Sequence, residues 1–403
     1  MQINQLQLLN FRCFEDLTIH FNPHFNVLIG DNMAGKTSVL DALAIEMTSS
    51  ILYFKNIGET VEAGKDPNND DITLHSGIKY DEKYSSKSIT ADDVMQVNIG
   101  EYRERAKGEV VINVNNGECS IYNVKTGKIT FKTVLAKTRL ESLLKSYLNE
   151  QKIETFPVYI YYPVNNRGGG IKPEKIELTA TTEISSRFDA YQYCFNPYNT
   201  ENIKKVDEWY KTKQITKEKN GNAQKITAIE NALRNCIPMC ENIFFDIEEG
   251  QFMMEMQDGK AVAFRHLSTG MQGILMMVRD LAYRCVYVNG HLGANATLET
   301  EGVVLIDELD AHLHPSWQQT IVGSLKKTFP KIQFFLTAHS PHIIASAGAG
   351  EVIDMNNAME EREIYAEQQS FQGWQLQYIL EELMSVNFEN SPNYETQIPC
   401  SPL

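Results

Sequence analysis

The sequence predicts an α/β fold: a mixed sheet carrying a phosphate loop, an antiparallel β lobe and a helical insertion. Three observations predict it. The first thirty residues alternate apolar and polar (Ile3, Leu6, Leu8; Leu17, Ile19, Phe21; Phe25, Val27, Ile29), a period of two that marks strands. Continuous apolar runs at Val158–Tyr162, Val303–Ile306 and Ile332–Leu336 read as strands buried on both faces. Between Glu201 and Asn235 the spacing turns helical, with Ile226, Ile229 and Leu233 on one side.

The remaining elements follow in order. A helix runs from Lys36 to about Met47, with Val39, Leu40, Leu43 and Ile45 on its buried side. Gly58–Ser88 is rich in Asp, Asn, Lys and Gly and reads as a surface insertion. Strands return at Met95–Ile99, Val110–Val114 and Cys119–Val124, and an amphipathic helix is expected over Leu140–Leu148. Arg167–Gly170 marks a flexible joint. Ile243–Ile247, Phe252–Met256 and Ala261–Phe264, with an Asp258-Gly259 turn, form a hairpin unit. Helices over Met271–Val288 and Trp317–Lys327 alternate with the last two buried strands, and a short α/β tail closes the chain. The expected division is 1–172 with the phosphate loop, 173–240 as the helical insertion, 241–355 as a second lobe and 356–403 as a tail.

Composition excludes several classes. Of 403 residues 42% are hydrophobic and 22% charged, which is globular and neither disordered nor fibrous. The net charge of −15 argues against a chain that coats nucleic acid, so contact with DNA or RNA is expected only through a local patch. The one basic stretch is Glu201–Asn235, with eight Lys/Arg against five Asp/Glu; it reads as a solvated helix face or as a contact for nucleic acid or a partner. No apolar run approaches the ~20 residues of a membrane span, and the N-terminus lacks a signal-peptide layout, so a cytoplasmic protein is expected. Among seven cysteines Cys236 and Cys240 form the one close pair. With no matching second pair, neither a zinc site nor a disulfide framework is indicated.

The chemistry concentrates in four segments. Phe25–Ile29 runs into Gly30-Asp31-Asn32-Met33-Ala34-Gly35-Lys36-Thr37-Ser38 and a helix, the strand–loop–helix context of G-x-x-x-x-G-K-[ST]. That pattern arises by chance in roughly one chain of this length in a hundred, taking Gly at about 7%. Backbone N–H groups of such a loop converge on phosphate oxygens, Lys36 reaches the β- and γ-phosphates, and the Thr37 hydroxyl suits Mg²⁺. The second segment lies 271 residues beyond Lys36, where an apolar strand ends in Asp307-Glu308. Carboxylates there stand at the ligand edge of an α/β sheet, Asp307 suited to hold the metal and Glu308 to orient a water. The third, Ser268-Thr269-Gly270, opens a helix and forms an anion nest or an ordinary N-cap. The fourth, Leu336–His342, places His339 just beyond a buried strand as a γ-phosphate sensor. His312, His314 and His339 lack the fixed third ligand that zinc requires.

In this order the phosphate loop, LSTGMQ, VVLIDELDAHLHP and FFLTAHSPHII resemble the ABC-type ATPase heads of the SMC and RecF group. They look most like its shorter relatives in bacterial anti-phage systems: the OLD nucleases and the Septu and retron-associated ATPases called PtuA. The opening Leu8-Leu9-Asn10-Phe11-Arg12-Cys13-Phe14 is similar to the group's N-terminal signature. Tyr161–Asn165, Gly373-Trp374 and Ile379-Leu380 resemble the Septu-like branch. The resemblance implies an ATPase that binds ATP and Mg²⁺ as a homodimer or larger assembly of paired heads. Lys36, Thr37, Asp307, Glu308 and His339 of one protomer would face Ser268 and Gly270 of its partner, with Asp310 coupling the two sites. It further implies a separate nuclease effector of the HNH type, with nucleic acid met through the complex. Met33 stands where the group commonly has Gly, and Thr269 and Met271 depart from its signature. The 64 residues after His339 are too few for the Toprim nuclease domain of OLD proteins. Two other functions remain in view: a RecF- or SMC-like DNA repair ATPase, and a nucleotide-locked scaffold with little turnover. An SMC-like clamp would need a longer coiled coil than Glu201–Asn235 supplies.

Overall fold

Strands that are apolar along their whole length satisfy their backbone and bury both faces only inside a covered parallel sheet, and the chain builds one. The computed structural model describes residues 2–47, 89–90, 110–115, 118–123, 128–131, 154–164, 187–191, 193–216, 222–237, 239–246 and 251–384. Along the chain run β1 (Gln5–Phe11), β2 (Phe14–His20), β3 (Phe25–Ile29), α1 (36–47), β4 (Ile89–Thr90), β5 (Val110–Val114), β6 (Glu118–Asn123), β7 (Lys128–Phe131) and β8 (Val158–Tyr162). Then come α2 (Thr200–Ile215), α3 (Asn222–Cys236), β9 (Cys240–Asp246), β10 (Gln251–Met256), β11 (Ala261–Ala263), α4 (Thr269–Val288) and β12 (Gly302–Ile306). The chain continues through α5 (Ile321–Thr328), β13 (Ile332–Thr337), β14 (Val352–Asp354), β15 (Glu363–Ile364) and α6 (Leu376–Glu382).

Among the described residues three sheets result. The central one is parallel throughout, in the order β14-β3-β13-β12-β8, and every residue of β3, β8, β12 and β13 is buried. A seven-stranded sheet, β15-β2-β1-β5-β6-β7-β4, is antiparallel apart from its β15–β2 edge. The third is the antiparallel β11-β10-β9 hairpin unit. Alternation along β1 and β2 sends Leu6, Leu8, Leu17 and Ile19 inward, as a half-buried antiparallel sheet requires.

The helical insertion is no free appendage. Its α3 buries Ile226, Ala228, Ile229, Ala232 and Leu233 and packs on both α4 and α5. A buried polar network ties α2, α4 and β8 together: Asp280 accepts from Asn202 (3.0 Å) and Tyr162 (2.9 Å) and pairs with Arg284 at 2.8 Å. Nearby, Arg279 of α4 lies 2.6 Å from Asp207 of α2.

One expected helix, Trp317–Lys327, is broken into Pro315–Gln318 and α5. The Thr320 hydroxyl donates to the carbonyls of Ser316 and Trp317, 3.4 and 3.3 Å away, the local competition that disfavours Thr inside helices. The α4 helix starts two residues earlier than its apolar spacing indicated, because Ser268 caps it. The expected insertion at Gly58–Ser88 lies wholly outside the described residues, as do Met95–Ile99, Leu140–Leu148 and Arg167–Gly170. Among the described residues no helix is long and apolar enough to cross a membrane.

Candidate functional site

Parallel pairing brings the C-terminal ends of β3, β13 and β12 side by side, and the candidate residues hang from those ends. After β3 the chain turns at Gly30 (φ +135°) and again at Gly35 (φ +88°). A Cβ on Gly35 would lie 2.3 Å from the Phe14 ring, so that position demands glycine twice over. Between the two glycines Asp31, Asn32 and Met33 are exposed and Ala34 is buried. The loop curls over Lys36, whose Nζ donates to the carbonyls of Gly30 (2.7 Å) and Asp31 (2.8 Å). Burial pushes the Lys36 ammonium below its usual range, opposed by the carboxylates of Asp307, Asp31, Glu308 and Asp310. The loop is also held from outside: the Asp31 N–H donates to Asn356 Oδ1 at 2.7 Å, just beyond β14.

Asp307 follows β12 and is 5% exposed. Its Oδ1 accepts from the Thr337 hydroxyl at 2.7 Å, and both carboxylate oxygens lie 3.3 Å from Thr37 Oγ1. Glu308 sits at φ +49°, a left-handed backbone that non-glycine residues adopt at a cost, and its N–H donates to Thr337 Oγ1 at 2.6 Å. Asp310 Oδ2 accepts from the backbone N–H of His339 at 3.1 Å; its Oδ1 is buried with no hydrogen-bond partner among the described residues. Within one chain, then, Asp310 fixes the loop that carries His339.

Lys36, Thr37, Asp307, Glu308, Thr337 and His339 line one cleft of about 680 Å³, walled also by Arg12, Cys13, Asn32, Met33, Gly35, Ser38 and Met359; the expected site residues Gly30, Asp31, Ala34 and Asp310 are not part of that lining. The volume and the mixed lining suit a polar ligand of nucleotide size. Ser268 and Gly270 are elsewhere, lining a separate pocket of about 390 Å³ with Met239, Met271, His312, Leu313, His314 and Trp317. Ser268 is exposed at the tip of α4 and accepts from the Met271 N–H at 3.4 Å. Gly270 is pressed against the following loop, where a Cβ would lie 2.1 Å from the His312 carbonyl oxygen.

Sequence reasoning named Lys36, Thr37, Asp307, Glu308 and His339, and the cleft unites them. It left out Thr337, Asn356 and Met359, and gave Arg12 and Cys13 no role. Arg12 reaches the cleft from the β1–β2 turn, paired with Asp41 at 2.6 Å, while Asp41 accepts from Tyr161 at 3.1 Å. Burial raises the Asp41 carboxyl against the pull of Arg12. The available signals were a hydroxyl at the end of an otherwise apolar strand, Thr337, and an arginine inside a quoted signature. Asn356 and Met359 carried none.

The AAA ATPase domain family matches residues 1–344. Over 138 residues the chain is 34% identical to a Septu protein PtuA of Bacillus thuringiensis, a match covering 33% of this chain and 35% of that protein. A retron Ec83 probable ATPase of Escherichia coli is 23% identical over 428 residues, covering 94% of this chain and 76% of that one. Among solved structures, the SMC head domain from Thermotoga maritima aligns with a TM-score of 0.41 at 12% identity, over 88% of this chain and 94% of that chain.

Proposed function

The chain belongs to the AAA ATPase domain family, and on that premise we propose that it is an ABC-type ATPase of an anti-phage defence complex. It binds ATP with Mg²⁺, pairs with a second copy around the nucleotide, and gates a separate nuclease effector. The observation that carries this reading is the convergence of Lys36, Thr37, Asp307, Glu308 and His339 on one cleft from three adjacent strand ends.

Each residue then has a task. The loop N–H groups of 30–37 cradle the phosphates, and Lys36 exchanges its two loop carbonyls for phosphate oxygens. Thr37 Oγ1 and the Asp307 carboxylate are oxygen donors facing each other across 3.3 Å, a donor set that fits a hard cation. Mg²⁺ held there would neutralise charge on the transferring phosphoryl group. Glu308, its backbone pinned by Thr337, orients and polarises the attacking water, and His339 contacts the γ-phosphate. Ser268 and Gly270, remote from the cleft of their own chain, meet the phosphates bound by a partner copy. ATP thereby bridges two subunits, and hydrolysis removes the bridge.

The Septu and retron likeness supports the defence role; to it we add, as part of the same proposal, a nuclease partner of the HNH type, nucleic acid engaged through the complex, and a cytoplasmic location. Replacing Glu308 by Gln should preserve ATP binding, suppress phosphate release and accumulate dimers, read by light scattering. Phosphate release from the parent chain no higher than from Lys36→Ala, with or without the partner, would hand the site to a nucleotide-locked scaffold. Strong stimulation of the isolated chain by duplex DNA would hand it to a repair ATPase of the RecF kind.

A further inference from the structure

Met33, at the tip of the phosphate loop, is 89% exposed and held at φ +76°. A left-handed backbone costs a non-glycine residue of order 1 kcal/mol or more. Here it projects an apolar side chain into water beside the exposed Asp31 and Asn32. Among the described residues the Met33 side chain has no apolar partner that accounts for its projection. The pocket beside Ser268 supplies the complement. Its apolar wall is Met239, Met271, Leu313 and Trp317, and Met239 on its rim is likewise left-handed (φ +70°) and 46% exposed. A flexible thioether fills irregular apolar space of this kind well, and about 390 Å³ is ample for one.

Charge points the same way. Exposed Arg265 lies on the turn just ahead of Ser268. The loop that carries Met33 presents Asp31, in a chain of net charge −15. Projection and pocket belong to one polypeptide but to different walls of it, which is the arrangement of a self-complementary interface between two copies.

We propose that Met33 of one copy inserts into the Met239–Met271–Trp317 pocket of a second copy when the two close on ATP. This rests on the paired reading above and adds what locks and selects the pair: an apolar contact made twice per dimer, independent of the phosphates.

The test uses the full chain carrying Glu308→Gln, with ATP and Mg²⁺, and sedimentation velocity to measure dimerisation. Met33→Ser and Met239→Ser should each weaken the dimer about a hundredfold, because each contact occurs twice. Met33→Leu should dimerise like its parent, and the double Ser variant should be little weaker than either single one, the non-additivity of a direct contact. Binding of a fluorescent ATP analogue to the monomer should stay unchanged in Met239→Ser, which lies outside the phosphate cleft. Single variants that dimerise like their parent, or losses that simply add in the double variant, would overturn the contact while leaving the paired ATPase intact. If the Glu308→Gln chain itself stays monomeric with ATP, the paired reading fails and the contact with it.

Discussion

Thr337 hydrogen-bonds both Asp307 and Glu308, the residues proposed to hold the metal and to orient the attacking water, and replacing it by Val tests their dependence on it cleanly. Valine keeps the shape and removes the hydroxyl, which is 1% exposed as a residue and stands between Asp307 Oδ1 at 2.7 Å and the Glu308 N–H at 2.6 Å. Loss of a hydrogen bond to a charged group costs about 1.5–3 kcal/mol, and an orphaned backbone N–H costs about 1–3 kcal/mol. Asp307 lines an open cleft where water can take the vacated lone pair, which places the sum near the lower end, about 3 kcal/mol. Urea unfolding should therefore show a lower midpoint with an unchanged slope. The chemistry should suffer as well. Glu308 is strained at φ +49°, and the bond to Thr337 is one of those that hold its backbone there, beside the bond that the Ala311 N–H donates to the Glu308 carbonyl. Freed, its carboxylate loses its aim at the water, and phosphate release should fall at least tenfold while ATP binding through Lys36 changes little, a tenfold loss being about 1.4 kcal/mol of misplaced geometry. Thr337→Ser should recover most of both properties. A valine variant within about 0.5 kcal/mol of the parent, with full phosphate release, would refute the reasoning, since that is the range of a substitution that touches nothing.

Two further outcomes are expected. Gly270→Ala puts a Cβ 2.1 Å from the His312 carbonyl, a backbone atom that cannot swing aside. It should destabilise by about 1–3 kcal/mol in thermal unfolding and abolish ATP-driven pairing, while the phosphate cleft still binds nucleotide; unchanged pairing would mean the tip of α4 has no part in it. Asp207, buried against Arg279, has its carboxyl raised from 3.8 to about 6, chiefly by burial. The folded state therefore binds more protons than the unfolded one between these values, so this group's contribution to stability is full below 3.8 and is lost as pH rises through about 6. Asp207→Asn should remove that slope, so that its melting temperature rises relative to the parent's as pH goes from about 5 to about 7; parallel pH profiles would contradict it.

What could be read from the sequence was whatever local chemistry announces. Apolar runs located β3, β8, β12 and β13, and the phosphate loop and the Asp307-Glu308 pair declared themselves by residue type beside a strand end. Sheet order was hidden, because neighbours along the chain are not neighbours in a parallel sheet. In the observed order β13 lies between β3 and β12, so Thr337 at the end of β13 stands beside Asp307 and donates to it, although it lies 30 residues further along the chain. Likewise β14 pairs with β3, which is why Asn356 reaches the Asp31 N–H across 325 residues. The backbone conformations of Met33 and Glu308 were equally silent, for φ is set by the closure of a loop on its neighbours and not by the side chain it carries. The groups proposed to perform the chemistry are thus few and locally marked. Those that aim them are ordinary polar residues whose importance comes entirely from which strands lie side by side, and that is why substitutions at Thr337 discriminate more sharply than substitutions at Lys36: a phosphate loop without its lysine fails in any sheet order, whereas Thr337 matters only in this one.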